Sequence, residues 1–151
     1  MKIVYVAGPF RGPTAWDIAE NIRAAERIGR LVALAGAMPL IPHANTAHFE
    51  GQRSGQFWLD GTMELMRRCD GVVFLPSWRA SQGSLGEFRE AGRLCIPRLC
   101  LDNYTPDVFP FEIAGFVQWI TDGKEQERQG CRDSVEATGN GTPITERFPP
   151  T

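Results

Sequence analysis

The chain has 151 residues and a net charge of −2, with 42% hydrophobic and 23% charged residues. This length suits one domain with one substantial core. The near-neutral charge gives no electrostatic reason to expect a nucleic acid polymer as partner, whereas a small phosphorylated metabolite needs only a local cradle. No apolar run approaches the roughly 20 residues that span a bilayer. We therefore expect no membrane contact.

The four cysteines form no CxxC pair and no cluster with histidine. Three of them, Cys69, Cys95 and Cys100, lie among apolar residues. This pattern favours free thiols in a reducing compartment over disulfides or metal ligands. Lys2 leads directly into an apolar run, without the pattern of a signal peptide. We therefore expect a cytoplasmic protein.

Short apolar runs separated by helical patterns organise the chain. The first predicted helix begins after a cap at Thr14 and stops at Gly36. Two further helices are predicted over residues 56–69 and 84–94. The predicted strands are residues 3–7, 38–41, 71–75 and 98–101.

The remaining segments are less regular. Residues 42–55 are predicted as a polar loop, and residues 109–120 are apolar enough to pack on the core, as either helix or strand. Residues 123–151 are polar, and we expect a flexible tail or an arm that contacts a neighbouring copy.

The alternation of strands and helices predicts one α/β domain over residues 1–122, built on a doubly wound parallel sheet. In such sheets, ligands bind beyond the carboxyl ends of the strands. The loops at residues 8–12, 43–48 and 76–83 are then expected to surround one crevice.

Residues 81–87, after the third strand, carry the strongest chemical signal. Gly83 and Gly86 allow backbone amides to approach a ligand, and the positive end of the next helix favours an anion such as a nucleotide 5′-phosphate. Glu87 is predicted in the first helical turn, where the dipole keeps its carboxylate ionised. Such a carboxylate suits displacement at a sugar anomeric carbon, as nucleophile or as stabiliser of the transition state. The structural alternative is a capping box between Ser84 and Glu87.

Other crevice residues are candidates for positioning a substrate. The Tyr5 hydroxyl is placed to orient Glu87, although a core tyrosine is an equally good interpretation. Trp78 is a candidate to stack on a nucleobase, with Phe10 and Trp58 as weaker ones. Arg11 is a solvated charge unless a phosphate lies beside it, and two histidines without acidic partners predict no metal site. The candidate substrate-binding residues are Gly8, Pro9, Phe10, Arg11, Gly12, His43, Trp78, Ser81, Gly83 and Ser84.

Four fragments follow one another along roughly residues 1–101: Tyr5-x-x-Gly8, Asp70-Gly-Val-Val-Phe-Leu, Ser81-x-Gly83-x-x-x-Glu87 and Ala91-x-x-x-x-x-Pro97. In this order they resemble the nucleoside 2-deoxyribosyltransferase superfamily, which includes 2′-deoxynucleoside 5′-phosphate N-hydrolases. The resemblance implies a flavodoxin-like fold, a nucleophilic glutamate at Glu87 and an orienting tyrosine at Tyr5. It also implies a homodimer or larger homo-oligomer whose neighbours complete the pocket.

Two positions bear on the reaction that this resemblance implies. Six residues before the nucleophile, the transferases usually have an aspartate, whereas the nucleotide hydrolases have a phosphate-binding serine, as in Ser81 here. The family often has an aspartate eight residues before the strand aspartate, helping to protonate the departing base, but this chain has Thr62 there. Asp60 is the substitute general acid, although it points about 200° away on a regular helix, and an N-cap is an equal alternative. His43 or bulk water are the other candidates.

The sequence therefore predicts an enzyme that hydrolyses the N-glycosidic bond of a (deoxy)nucleoside 5′-monophosphate. Glu87, Tyr5 and Asp60 are the predicted catalytic residues, and we expect no metal or organic cofactor. One alternative is base exchange, in which an incoming base outcompetes water. Another is a nucleotide-binding sensor without turnover, which the missing aspartate at Thr62 would favour. A purely structural domain would need its crevice loops to be plugged by side chains.

Overall fold

The predicted strands pair in one parallel sheet. The computed structural model describes residues 1–49 and 51–122, and the strand order within them is β2-β1-β3-β4. The strands are β1 (Ile3–Ala7), β2 (Met38–Leu40), β3 (Gly71–Phe74) and β4 (Arg98–Cys100). The chain runs from β1 to β2 on one side and then to β3 on the other, so the switch point lies between β1 and β3. The prediction of a single α/β domain with a flavodoxin-like fold is confirmed.

Helices flank this sheet in the described part of the chain. They are α1 (Ala15–Leu34), α2 (Pro42–Asn45), α3 (Gly55–Arg67), α4 (Gln82–Arg93) and α5 (Phe109–Thr121). The predicted cap of α1 is confirmed, because Thr14 and Asp17 form a reciprocal capping box. Gly36 follows the end of α1 with a φ of 93°, a conformation that glycine adopts without strain.

Three local predictions need adjustment. The loop predicted over residues 42–55 contains the short helix α2, which starts at Pro42, a residue well suited to a first helical turn. The segment left open between helix and strand is the helix α5. Helix α4 begins at Gln82, two residues before the predicted start. The predicted tail, residues 123–151, lies outside the described residues.

The core is divided between the two faces of the sheet. Val4 and Val6 of β1 belong to a cluster that includes residues of α1 and α5. Tyr5 and Ala7 belong to a second cluster with residues of α3 and α4, since successive strand residues point to opposite faces. The tyrosine therefore faces α3 and α4. No helix among the described residues is long and apolar enough to cross a membrane.

Candidate active site

A direct hydrogen bond joins the two residues predicted to form the catalytic centre. Tyr5 is fully buried in β1, and its hydroxyl donates to Oε1 of Glu87 on α4 at 2.5 Å. The two residues are 82 positions apart in sequence. The parallel pairing of β1 with β3 brings them together, because α4 follows β3 and packs on the face to which Tyr5 points.

Burial controls the ionisation of this pair. It raises the pKa of Glu87 from 4.5 to about 7, and the hydrogen bond from Tyr5 acts in the opposite direction. Burial first, and then the neighbouring Glu87, raise the pKa of Tyr5 well above its usual value. The tyrosine therefore stays protonated and acts as a donor. Burial thus opposes the ionisation that was predicted from a place in the first helical turn, and Glu87 lies in the second turn of α4.

The capping interpretation of Glu87 is wrong. The N-cap of α4 is Ser81, whose Oγ accepts a hydrogen bond from the Ser84 amide at 3.3 Å. Glu87 lies six residues after this cap, in the second helical turn, and its carboxylate bonds to Tyr5 instead. Ser84 is only 1% exposed, and its hydroxyl has no hydrogen-bond partner among the described residues. Its side chain is therefore packed inside and does not face an open crevice.

Glu87 borders a cavity of about 330 Å³ between α3 and α4. The α4 side of the cavity carries Gln82, Gly83, Gly86 and Glu87. The α3 side consists of Gln56, Leu59, Asp60, Thr62, Met63 and Arg67. The cavity thus combines one partly buried carboxylate with a wall of mixed polar and apolar side chains, and its volume suits a small organic molecule.

Asp60 and Thr62 both line this cavity. Asp60 lies inside α3, whose N-cap is Ser54, so the interpretation of Asp60 as an N-cap is wrong. Its Oδ1 accepts a hydrogen bond from Gln56 Nε2 at 2.7 Å. The Thr62 hydroxyl donates to the Leu59 carbonyl oxygen at 3.2 Å, and its proximity to Tyr5 partly opposes the rise in the tyrosine pKa. Thr62 therefore lies beside the Tyr5–Glu87 pair, but its hydrogen bond stays within α3.

Sequence reasoning also missed the α3 wall as a set. Residues 56, 59, 60, 63 and 67 follow the spacing of one helical face. The wall carries glutamine, aspartate and arginine among apolar residues, so it resembled a solvated face. The helical spacing of its residues was the only feature of the sequence that could have identified this wall.

The turn after β1 lies outside the set of residues that line this cavity. Asn21 Nδ2 donates to the carbonyl oxygens of Phe10 and Arg11, both at 3.2 Å, and so fastens the turn to α1. Position 12 has no room for a larger residue than Gly12, because a Cβ there would lie 2.4 Å from the Cβ of Asp17. Pro9 lies within the same turn and is partly exposed.

Arg11 and His43 both lie outside the lining of this cavity. Arg11 is exposed and lies against the start of α3, since a Cβ on Gly55 would be 2.6 Å from its Nη2. His43 is only 5% exposed, and its Nε2 is 2.9 Å from the carbonyl oxygen of Gly8. Burial lowers the pKa of His43. The ring therefore supports the turn as a neutral donor and does not face the cavity.

The prediction that Trp78 stacks on a base at the crevice mouth is wrong. Trp78 is 1% exposed, and its ring stacks on Phe88 at 4.5 Å and also contacts Phe74 at 5.2 Å. Arg79 covers the ring at 4.4 Å. The chain bends into a short 3-10 turn at Trp78–Ala80, which directs this side chain towards the core. Within residues 1–49 and 51–122, no group of three His, Cys, Asp or Glu side chains is arranged to hold a metal ion.

Comparison with known proteins gives a family without an assigned activity. Residues 2–100 match the family described as "Domain of unknown function (DUF7768)". The match contains all four strands and both residues of the Tyr5–Glu87 pair. No curated protein matches the chain.

Proposed function

We propose that this chain, which belongs to the DUF7768 family, hydrolyses the N-glycosidic bond of a (deoxy)nucleoside 5′-monophosphate. The observation that carries the proposal is the hydrogen bond from the buried Tyr5 hydroxyl to Glu87 at the edge of an open cavity. A carboxylate that is held by a neutral donor and borders a cavity of nucleoside size is suited to attack an anomeric carbon.

The reaction proceeds in two displacements at the anomeric carbon. Glu87 attacks this carbon through the carboxylate oxygen that Tyr5 does not hold, while the bond to the base breaks and its electron pair passes to the base nitrogen. A proton from Asp60 or water neutralises the departing base. Water then attacks the glycosyl ester, releases the sugar phosphate and regenerates Glu87. The net reaction consumes one nucleotide and one water, and it yields one base and one sugar 5-phosphate.

The start of α4 is the proposed phosphate site. Gly83 lines the cavity, and the amide groups of the first helical turn carry the partial positive charge of the helix. The turn from Gly8 to Gly12 and the Arg11 guanidinium complete the proposed cradle at the switch point. Because Arg11 lies at the start of α3, it must turn towards α4 to reach a phosphate there.

A homo-oligomer is part of the proposal. The surface beside the cavity exposes apolar side chains, with Phe49, Phe57 and Leu59 each about half exposed at 49%, 51% and 48%. Leu59 also lines the cavity, so a second copy on this surface would narrow the cavity mouth. Light scattering in solution should give at least twice the monomer mass. A monomer at all concentrations would contradict this part of the proposal.

The decisive test is release of free base from a panel of ribo- and deoxyribonucleoside 5′-monophosphates, followed by chromatography. We expect release by the unmodified protein and a loss of at least a thousandfold in Glu87→Gln, because that variant lacks the nucleophile. Glu64→Gln, an exposed glutamate paired with Arg68 on α3, is the matched control and should keep full activity.

Each outcome of this experiment has a definite meaning. Unchanged base release by Glu87→Gln removes Glu87 from the mechanism. Formation of a new nucleoside after addition of a second base identifies exchange. Tight nucleotide binding without base release identifies a sensor.

A further inference from the structure

The α3 wall of the cavity carries a hydrogen-bonded polar pair, of which the mechanism above uses only Asp60, as one of two alternative proton sources. Gln56 and Asp60 are one helical turn apart, both are exposed, and both line the cavity. Gln56 Nε2 donates to Asp60 Oδ1 at 2.7 Å. The bond fixes the relative orientation of the amide and the carboxylate, which gives the wall a defined polar edge.

The free groups of this pair are mainly acceptors. A carboxylate can only accept hydrogen bonds, and an amide offers one oxygen and two N–H groups. The contact between the two side chains uses one N–H of Gln56 and one oxygen of Asp60. It leaves Asp60 Oδ2, the amide oxygen and a single N–H for a ligand. The pair therefore favours a ligand edge that brings more than one donor.

Apolar side chains lie beside this polar edge. Leu59 and Met63 line the same wall, and Leu59 is 48% exposed although it is a large aliphatic residue. A flat ligand with an apolar face and a polar rim would cover Leu59 and meet Gln56 and Asp60 at its rim. A nucleobase has this combination of surfaces.

We propose that Gln56 and Asp60 recognise the base and select bases with an exocyclic amino group over thymine and uracil. This inference rests on the proposed function. An amino group supplies the N–H donors that the Asp60 carboxylate needs. The corresponding carbonyl of uracil would place an acceptor against the Asp60 carboxylate, and only the one remaining N–H of Gln56 could donate to it.

The test compares dCMP with dUMP, because these nucleotides differ only at the 4-amino or 4-keto group and the adjacent ring nitrogen. We expect kcat/KM for base release to be about 10- to 100-fold higher for dCMP. Asp60→Asn should reduce this preference to below about threefold, since its amide can also donate to a carbonyl. Gln56→Leu should reduce it as well, and Glu64→Gln on the same helix should leave it unchanged.

Several results would overturn the inference. A ratio of the kcat/KM values for dCMP and dUMP near one in the unmodified protein would do so. An unchanged preference in Asp60→Asn would show that the pair only stabilises α3. An equal loss of kcat for both substrates would assign Asp60 to proton transfer and not to selection.

Failure of the proposed function is distinguished by equilibrium binding. If neither nucleotide releases base, calorimetric titration of the unmodified protein with dCMP and dUMP replaces the kinetic measurement. A tighter Kd for dCMP that Asp60→Asn abolishes supports base selection without catalysis. Equal affinities, or no binding of either nucleotide, contradict the inference.

Discussion

At the scale of single residues, the pKa of Glu87 results from two opposing effects. Burial favours the protonated form, and the hydrogen bond from the Tyr5 hydroxyl favours the carboxylate. The resulting pKa of about 7 leaves both forms populated near neutral pH. Nucleophilic attack requires the carboxylate, so kcat/KM should rise with pH through this range.

The variant Tyr5→Phe tests this balance. Loss of the hydrogen bond removes the contact that lowers the Glu87 pKa, so the midpoint of the pH profile of kcat/KM should move to higher pH. At pH 7 we expect a loss of about 10- to 100-fold, the usual effect of losing a hydrogen bond to a charged group. Tyr104→Phe, at the exposed second tyrosine, is the control and should not move the midpoint. An unchanged midpoint in Tyr5→Phe would exclude coupling between the two side chains.

The partly buried Glu87 carboxylate also has a predicted effect on stability. The folded protein binds a proton at Glu87 up to about pH 7, whereas the unfolded chain loses it near pH 4.5. The folded state therefore holds more protons in this window, and Glu87 destabilises the fold increasingly as the pH rises through it. Because one pKa unit corresponds to about 1.4 kcal/mol, the full effect above pH 7 is about 3 kcal/mol.

Urea unfolding of Glu87→Gln and the unmodified protein at several pH values measures this effect. The variant should be more stable above pH 7, and the difference should vanish near pH 4.5. Glu64→Gln should instead be less stable than the unmodified protein above pH 4.5, because the hydrogen bond from Arg68 lowers the pKa of the exposed Glu64 carboxyl. A constant difference across the pH range would show that Glu87 is not desolvated.

Sequence patterns identified the two central residues but not their environment. Tyr5 and Glu87 were found because a crevice at the strand ends needs a carboxylate and an orienting donor. The pKa of Glu87 was missed because desolvation depends on how α3 covers the site, which no local pattern reports. Trp78 was misplaced for a related reason. Its position after β3 was correct, but the direction of its ring depends on packing against Phe74 and Phe88.

At the scale of elements, the start of α4 combines a structural role with a proposed binding role. Ser81 caps the helix through its Oγ, and Ser54 caps α3 by accepting from the Phe57 amide at 3.2 Å. The two helices thus begin in the same way. Only Ser81 lies beside Gly83 and is proposed to contact a phosphate.

This similarity provides a matched pair of variants. Ser81→Ala and Ser54→Ala should each lower the free energy of unfolding by about 1 kcal/mol, the usual effect of losing a side-chain cap. Ser81→Ala should also raise KM for a nucleoside monophosphate, with little change for the corresponding nucleoside. Ser54→Ala should leave the ratio of the two KM values unaltered. An equal change of KM for both substrates in Ser81→Ala would place the phosphate elsewhere.

The boundaries of the elements were predictable where capping residues mark them. Thr14 and Gly36 marked the ends of α1 to within a residue or two. The start of α4 was predicted late because Ser84 and Glu87 also fit a capping box, and the competing cap at Ser81 is recognisable only once the helix is seen. For residues 109–120, periodicity alone did not separate a buried helix from a buried strand.

At the scale of the whole molecule, the sheet separates the core into a face that carries the site and a face that does not. Tyr5 packs with Val72 and Phe74 on the first face. Phe116 of α5 is fully buried in the cluster on the other face, close to Gly71 of β3. Substitutions on the two faces should therefore separate stability from activity.

Phe116→Ala should lower the free energy of unfolding by about 3–5 kcal/mol, because it leaves a large cavity. Below its unfolding temperature, Phe116→Ala should have the same midpoint in the pH profile of kcat/KM as the unmodified protein. Phe74→Leu removes less volume, but on the face of Tyr5, so it should lower kcat/KM as well. A shifted midpoint in Phe116→Ala would show that the two faces are coupled through the sheet.

The fold class was predictable because each strand is a short apolar run that is bounded by turn residues or helical patterns. The parallel arrangement followed from the alternation with helices, since parallel strands need long crossovers. The strand order was not predicted, because it depends on which strand edges pair in space. Neither was the cavity, which arises from the distance between α3 and α4.

The location of Tyr5 inside the core has a consequence for thermal behaviour. Its ring is enclosed by residues of β3, α3 and α4, so the hydroxyl is positioned by the most protected part of the structure and not by a loop. Local opening of surface loops requires less free energy than opening of core strands. The contact with Glu87 should therefore persist on heating until the domain melts, and loss of the Tyr5–Glu87 hydrogen bond should coincide with the cooperative transition.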